Sequence, residues 1–350
     1  VRPPAVRIAA TLALAALAGA AAQGLHVPLP WMIGPLLVTA AGSVAGAPLA
    51  ASNRLRNAGQ WLIGTALGLY FTPPVLGVLA TLAPAIALGV AWALALGFGF
   101  YRFLWWSQRG RDGGLARSTA FFAAAIGGAS EMAVLAERAG AQVDRVAAAH
   151  SLRVLLVVVI VPFTLQALDV HGADLAATAR QQVHPAGLAV LLAASAAGGL
   201  AMRRLGAPNP WVLGALAASA TLTGLGLAGS ALPRELSNAA QLAIAVALGT
   251  RFTPTFVHSA PRWLAAVAAG TLAMLAASAA FGAALAGLLG LHPATLVLAT
   301  APGGIAEVAI TASVLGLGVP VVTAFQVARY VAVLTLTGPL FRWLHGPAHR

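Results

Sequence analysis

Apolar residues along this chain do not alternate with polar ones at the strand period or gather on one helical face. They run almost unbroken at about 8–22, 30–48, 57–72, 75–104, 117–136, 146–168, 186–202, 209–228, 237–252, 262–290, 293–316 and 319–344. The strands of a membrane barrel would alternate apolar and polar positions over about ten residues. These stretches are longer and apolar all round, which predicts an all-α polytopic membrane protein of twelve segments. Several runs fall near or below the ~20 residues a helix needs to cross a bilayer, so tilted, broken or re-entrant pieces are expected among them. The first run follows Arg2 and Arg7 and ends on small residues, as a signal peptide does. A similar segment recurs inside the chain at 186–202, which makes the first run a transmembrane helix.

The pattern repeats. Pro30-Trp31 with Gly34 returns as Pro210-Trp211 with Gly214, and Phe71-Thr72-Pro73 returns as Phe252-Thr253-Pro254. Gly127-Gly128 with Glu131 returns as Gly303-Gly304 with Glu307, and Arg153 returns as Arg329, all at an offset of 176. The chain therefore divides into a first membrane repeat, 1–180, and a second, 181–350, of six segments each. Loop arginines bear on their orientation. With all twelve segments spanning and the N-terminus inside, twelve lie inside and six outside. If 117–136 and 293–316 instead dip in and return on one side, the repeats are inverted and the split becomes sixteen to two. The positive-inside rule favours inversion.

Composition narrows the class. Hydrophobic residues make up 60% of the chain and charged ones 8%, against about 25% charged in a soluble domain. The net charge is +12, and every basic residue is Arg. They come singly or in pairs between apolar runs, which fits cytoplasmic loops and not nucleic-acid binding. No Cys is present, so thiolate chemistry is excluded.

The candidate chemistry sits where the charges are expensive. Glu131, Glu307, Arg153 and Arg329 lie well inside apolar segments, where an ionisable group costs at least ~2.5 kcal/mol and normally pairs or lines a cavity. Each Glu follows a glycine doublet, in Gly127-Gly128-Ala129-Ser130-Glu131 and Gly303-Gly304-Ile305-Ala306-Glu307. The doublets predict helix breaks that free backbone groups at membrane depth. A half-helix starting there favours an anion at its N-terminus, while freed carbonyls suit Na+ or a proton-coupled partner. The plainer alternative is a structural clamp, Glu131 to Arg153 and Glu307 to Arg329. A second set, Asn57, Gln60, Gly64 and Gly68, matches Asn238, Gln241, Ala245 and Gly249. Its spacing puts the members on one helical face, where helix packing is the first expectation and Gln60 and Gln241 rank second as solute contacts.

Of eight histidines only His150, three residues before Arg153, falls near the candidate site, and there it is expected to fill interfacial hydrogen bonds. No His-x-x-x-His pair, nucleophile triad, phosphate loop or dinucleotide fingerprint is present. No enzyme activity, metal or cofactor is therefore expected.

The Leu29-Pro30-Trp31-x-x-Gly34 element, its copy at Asn209 to Gly214, and the two Gly-Gly elements resemble the AbrB duplication family of bacterial inner-membrane proteins. The likeness runs from about residue 8 to 344. It implies a multi-pass inner-membrane protein, and members carry labels as regulators of gene expression or as ammonia monooxygenases. The residues themselves point to an ion-coupled secondary transporter of a small solute, in the first instance an organic anion. The solute would bind near the midplane, with Na+ or H+ as the coupling ion. A membrane-embedded regulator or sensor of gene expression is the alternative. Expected partners are the bilayer, the solute and a second copy of the chain.

Overall fold

Proline is the first residue of seven of the helices described, as expected for a residue whose missing N–H costs nothing in the first helical turn. The structure is a computed structural model that describes residues 4–109, 115–170, 172, 182–254 and 260–345. In the first half the helices are α1 (Pro4–Gly24), α2 (Pro30–Val44), α3 (Asn53–Gly68), α4 (Pro73–Thr81), α5 (Ala83–Ser107), α6 (Arg117–Ala124), α7 (Ala129–Arg138) and α8 (Val143–Ala167). Then come α9 (Pro185–Arg204), α10 (Pro210–Gly224), α11 (Arg234–Gly249), α12 (Pro261–Leu289), α13 (Pro293–Thr300), α14 (Ile305–Val314) and α15 (Val319–His345). No strand occurs among the described residues. The chain is an all-α polytopic membrane protein.

Twelve apolar stretches do not become twelve full-length spans. Six helices, α1, α5, α8, α9, α12 and α15, are long and apolar enough to cross a membrane. At 15 or 16 residues, α2, α3, α10 and α11 reach only about 23 Å at 1.5 Å per residue, short of the ~30 Å hydrocarbon core. The stretch at 75–104 resolves into α4 and α5, and α3 meets α4 at a bend of 87°. The glycine doublets break helices as their sequence predicts. The chain leaves α6 at Ala124 and re-enters helix at Ala129, and it leaves α13 at Thr300 and re-enters at Ile305.

Two compact units form, and each draws on both halves of the chain. One comprises Val1–Thr81, Val161–Ser259 and Ala309–Pro320; the other comprises Leu82–Ile160, Ala260–Val308 and Val321–Arg350. In the first unit α10 packs on α3 and α9, and α11 packs on α2 and α3. Small residues make the approach. A Cβ on Gly64 would stand 2.5 Å from the Val212 carbonyl oxygen, and one on Gly59 would stand 2.7 Å from that of Ala240. Ser219 donates across the helices to the Thr65 carbonyl at 2.8 Å, and the Trp61 indole donates to Ser195 at 2.9 Å. Trp31 lies against Gly19 and Trp211 against Gly199, so each Pro-Trp element docks its helix on the one before it. The residue ahead of each, Leu29 or Asn209, has a positive φ of 47° or 46°. Asn tolerates that conformation better than Leu does.

In the second unit α12 packs on α13 and α5, α5 on α6, and α6 on α7. Its core gathers Phe100, Tyr101, Phe121, Phe122, Met132, Trp263 and Phe341.

Candidate functional site

Both helix breaks, with Glu131, Glu307, Arg153 and Arg329, belong to the second unit. At the break after α6 the final carbonyls have no partner within their own helix. Arg153, reaching in from α8 and 2% exposed, donates to Ala125 O at 3.1 Å and, at 3.5 Å, to Ala123 O. It also contacts His150 Nδ1 at 2.8 Å. A guanidinium has only donors, so Nδ1 accepts, and the ring donates from Nε2 to Phe122 O at 2.9 Å. The histidine is neutral and, at 1% exposure, buried. The interfacial placement expected for it does not hold, because its ring fills the carbonyl layer of the break.

The second break is built from the same parts 176 residues on. Arg329, from α15, donates to Ala301 O and Gly303 O, each at 2.5 Å. Gln326 stands where the first half has His150 and donates to Leu298 O at 3.0 Å and to Ala301 O at 3.1 Å. Phe122 pairs with Leu298 by number, and Ala125 pairs with Ala301. Cations near the C-terminal end of a helix are favoured by its dipole as well as by the unpaired carbonyls. Both guanidiniums donate to backbone oxygens at the breaks, and Arg153 donates to His150 as well.

The carboxylates take the other end. Gly128 is the N-cap of α7 and Glu131 its third residue; Gly304 and Glu307 hold the same places before and within α14. A Cβ on Gly128 would collide with Glu131 Oε2, and one on Gly304 would collide with Glu307 Oε2. Each side chain thus folds back over its own N-cap glycine, where the helix dipole favours negative charge. Both carboxyl groups are half-buried, and Ser130 is exposed. The other glycine of each doublet is needed for packing. A Cβ on Gly127 would meet Met132 and Val333, and one on Gly303 would meet Val308 and Val157. The Tyr330 hydroxyl, in a residue only 5% exposed, lies beside Glu131. Sequence reasoning missed Tyr330; its place beside Arg329 is the one available signal.

Gln60 and Gln241 belong to the first unit. Gln241, 7% exposed, lines a cavity of about 200 Å³ together with Ser237, Tyr70 and Ser313. The hydroxyls of Tyr70 and Ser313 are 2.8 Å apart. Gln60 does not line it, while Gly64 and Gly68 face α10 as packing surfaces. No cluster of metal-ligating side chains occurs among the described residues. His171, His258 and His349 lie outside those residues.

Residues 31–345 match the family described as transition state regulatory protein AbrB. The chain belongs to the AbrB family. Among AbrB relatives, a protein of Bacillus subtilis (strain 168) named "Uncharacterized protein YhjN" is 26% identical over 348 residues, covering 91% of this chain and 88% of the relative. An Escherichia coli (strain K12) protein named "Putative regulator AbrB" is 27% identical over 318 residues, covering 90% of this chain and 89% of the relative. No solved structure matches this AbrB-family chain.

Proposed function

We propose that this AbrB-family protein is an ion-coupled secondary transporter of a small solute in the bacterial inner membrane. The observation that carries the reading is the paired break. Two half-helix N-termini in one unit each hold a half-buried carboxylate, while the opposite, carbonyl ends are closed by buried arginines. Contacts between them are reciprocal: Val157 of the first half meets Gly303 of the second, and Val333 of the second meets Gly127 of the first. Inverted repeats packed about a shared axis produce such an exchange.

The arginines cap the carbonyl ends of the breaks and supply a positive field, and in this reading Glu131 and Glu307 are the groups that respond to an ion. While ionised, each occupies the positive end of its own half-helix. Protonation or Na+ binding neutralises that carboxylate and leaves the helix end to another anion, so ion and organic anion bind together. Ser130 and the glycine backbones at 127–128 and 303–304 line the solute's position in this reading. Gln60 and Gln241 serve the other unit. No cofactor, metal, direct nucleic-acid contact or chemical conversion is assigned, and a homo-oligomer in the bilayer is the working assembly.

Uptake by proteoliposomes under an imposed H+ or Na+ gradient, across a panel of small organic anions, tests this. Gradient-driven uptake by the wild type should be lost in Glu131→Gln and Glu307→Gln with melting unchanged; undiminished uptake by both variants overturns the reading. The names of the family and of the E. coli relative favour a second reading, a membrane-embedded regulator. That protein would bind solute without moving it, so saturable binding with no flux selects it.

A further inference from the structure

The second unit carries an apolar groove of about 350 Å³ walled by α5, α6 and α15, with Leu94, Gly97 and Phe98, then Phe121, then Leu340 and Trp343 among its lining. Two of those helices, α5 and α15, are long and apolar enough to cross a membrane, which sets the groove between candidate spans. One end is strongly basic. Arg102 follows Phe98 by one helical turn, Arg117 precedes Phe121 by one turn, and Arg342 adjoins Trp343. The C-terminal ends of α5 and α15 meet there, because Tyr101 and His345 are hydrogen-bonded at 2.8 Å.

Arg102, Arg109 and Arg117 converge on a single indole, with their guanidinium carbons 5.8, 4.1 and 5.0 Å from the Trp105 ring centre. All three arginines are exposed. Trp106 and Trp343 at the same end are 70% and 81% exposed, as tryptophans are where a membrane protein meets the headgroup layer. Three cations held together at headgroup height attract an anion. An apolar slot leading from them into the hydrocarbon layer accepts a chain that a free anion does not have.

The geometry points to a resident anionic glycerophospholipid, its phosphate at the Arg102–Arg109–Arg117 cluster and one acyl chain in the groove beside Gly97. The groove reaches Ala125, Ile126 and Val333 beside the first helix break, but neither Glu131 nor Glu307 lines it, and the proposal does not depend on transport. The stacked indole orients the guanidinium groups by cation–π attraction. Each basic residue near an anionic surface adds enough attraction for about a fivefold change in binding.

Native mass spectrometry of the purified full chain, offered equal amounts of phosphatidylglycerol and phosphatidylcholine with identical acyl chains, reads the selectivity. Wild-type protein should retain phosphatidylglycerol about tenfold or more over phosphatidylcholine. The triple variant R102Q/R109Q/R117Q should bring the two within about twofold, while R102K/R109K/R117K, which keeps the charge, should hold most of the preference. Gly97→Leu should lower retention of both lipids. A Cβ there has only the Ala124 carbonyl oxygen near it, at 3.7 Å, so the substitution fills the groove without a clash at its base. The wild-type comparison needs no variant, and equal retention of the two lipids overturns the proposal. So does displacement of phosphatidylglycerol by inorganic phosphate at equal concentration, which would mark a free-anion site, or unchanged lipid retention in Gly97→Leu.

Discussion

Val333 stands 3.2 Å from the point where a Cβ on Gly127 would lie, and its counterpart Val157, 176 residues earlier, stands 2.9 Å from the same point on Gly303. Each break is therefore packed by the long helix of the opposite half. Two bare backbones are needed for two valines to reach them.

This packing predicts compensation. Gly127→Ala and Gly303→Ala should each destabilise the protein by about 1–3 kcal/mol through overpacking. Val333→Ala should relieve part of the first and Val157→Ala part of the second, since Met132 and Val308 still crowd the added methyl. Thermal melting in detergent checks this, and the double variants should depart from additivity by at least about 0.5 kcal/mol. Strict additivity would mean that the contacts do not set the packing.

Arg153 and Arg329 each span two carbonyls, a fork that an ammonium cannot reproduce. Arg153→Lys and Arg329→Lys should therefore lower stability although charge is kept, by about 1–3 kcal/mol for each carbonyl left unpaired. Melting equal to wild type in both would show that charge alone suffices.

His150 and Gln326 do one job in the two halves, which provides an internal control. His150→Gln should be nearly neutral, since Gln326 already donates to the matching carbonyl, Leu298 O. His150→Ala should cost about 1–3 kcal/mol for the orphaned Phe122 oxygen. The order of the two melting temperatures decides it: Gln below Ala would contradict the shared role.

Gly128 leaves room for the Glu131 carboxylate, so Gly128→Ala should displace that carboxylate and reproduce the uptake loss of Glu131→Gln. Measured side by side in proteoliposomes, the two variants should fall together; normal uptake by Gly128→Ala would separate the glycine from the carboxylate's function.

Glycines outside contacts should behave oppositely. Gly77, in α4, has nothing within 4 Å of its absent Cβ, so Gly77→Ala should stabilise by about 0.4–1 kcal/mol through the unfolded chain. Gly64→Ala, which drives a methyl at the Val212 carbonyl, should destabilise. Melting of this pair tests whether α3 seats on α10 as described.

The sequence by itself determined the helical membrane class and the matched elements at offsets of 176 to 181. It also located the two breaks, because unbroken apolarity admits only helices in lipid and glycine doublets interrupt them. The residues that are costly to bury were visible too, since an ionisable group in an apolar run stands out whatever surrounds it. Tertiary structure decided what those residues touch. A buried Arg in an apolar run takes a carboxylate or carbonyls according to which lies within its reach, and Arg153 finds the carbonyls of Ala123 and Ala125 from a different helix. Nor does hydropathy encode that Val157 and Val333 cross to the opposite half, or that the compact units mix the two halves. Lipid makes all outward faces alike in sequence, and only the close approach of glycine to a neighbouring helix distinguishes the faces that pack.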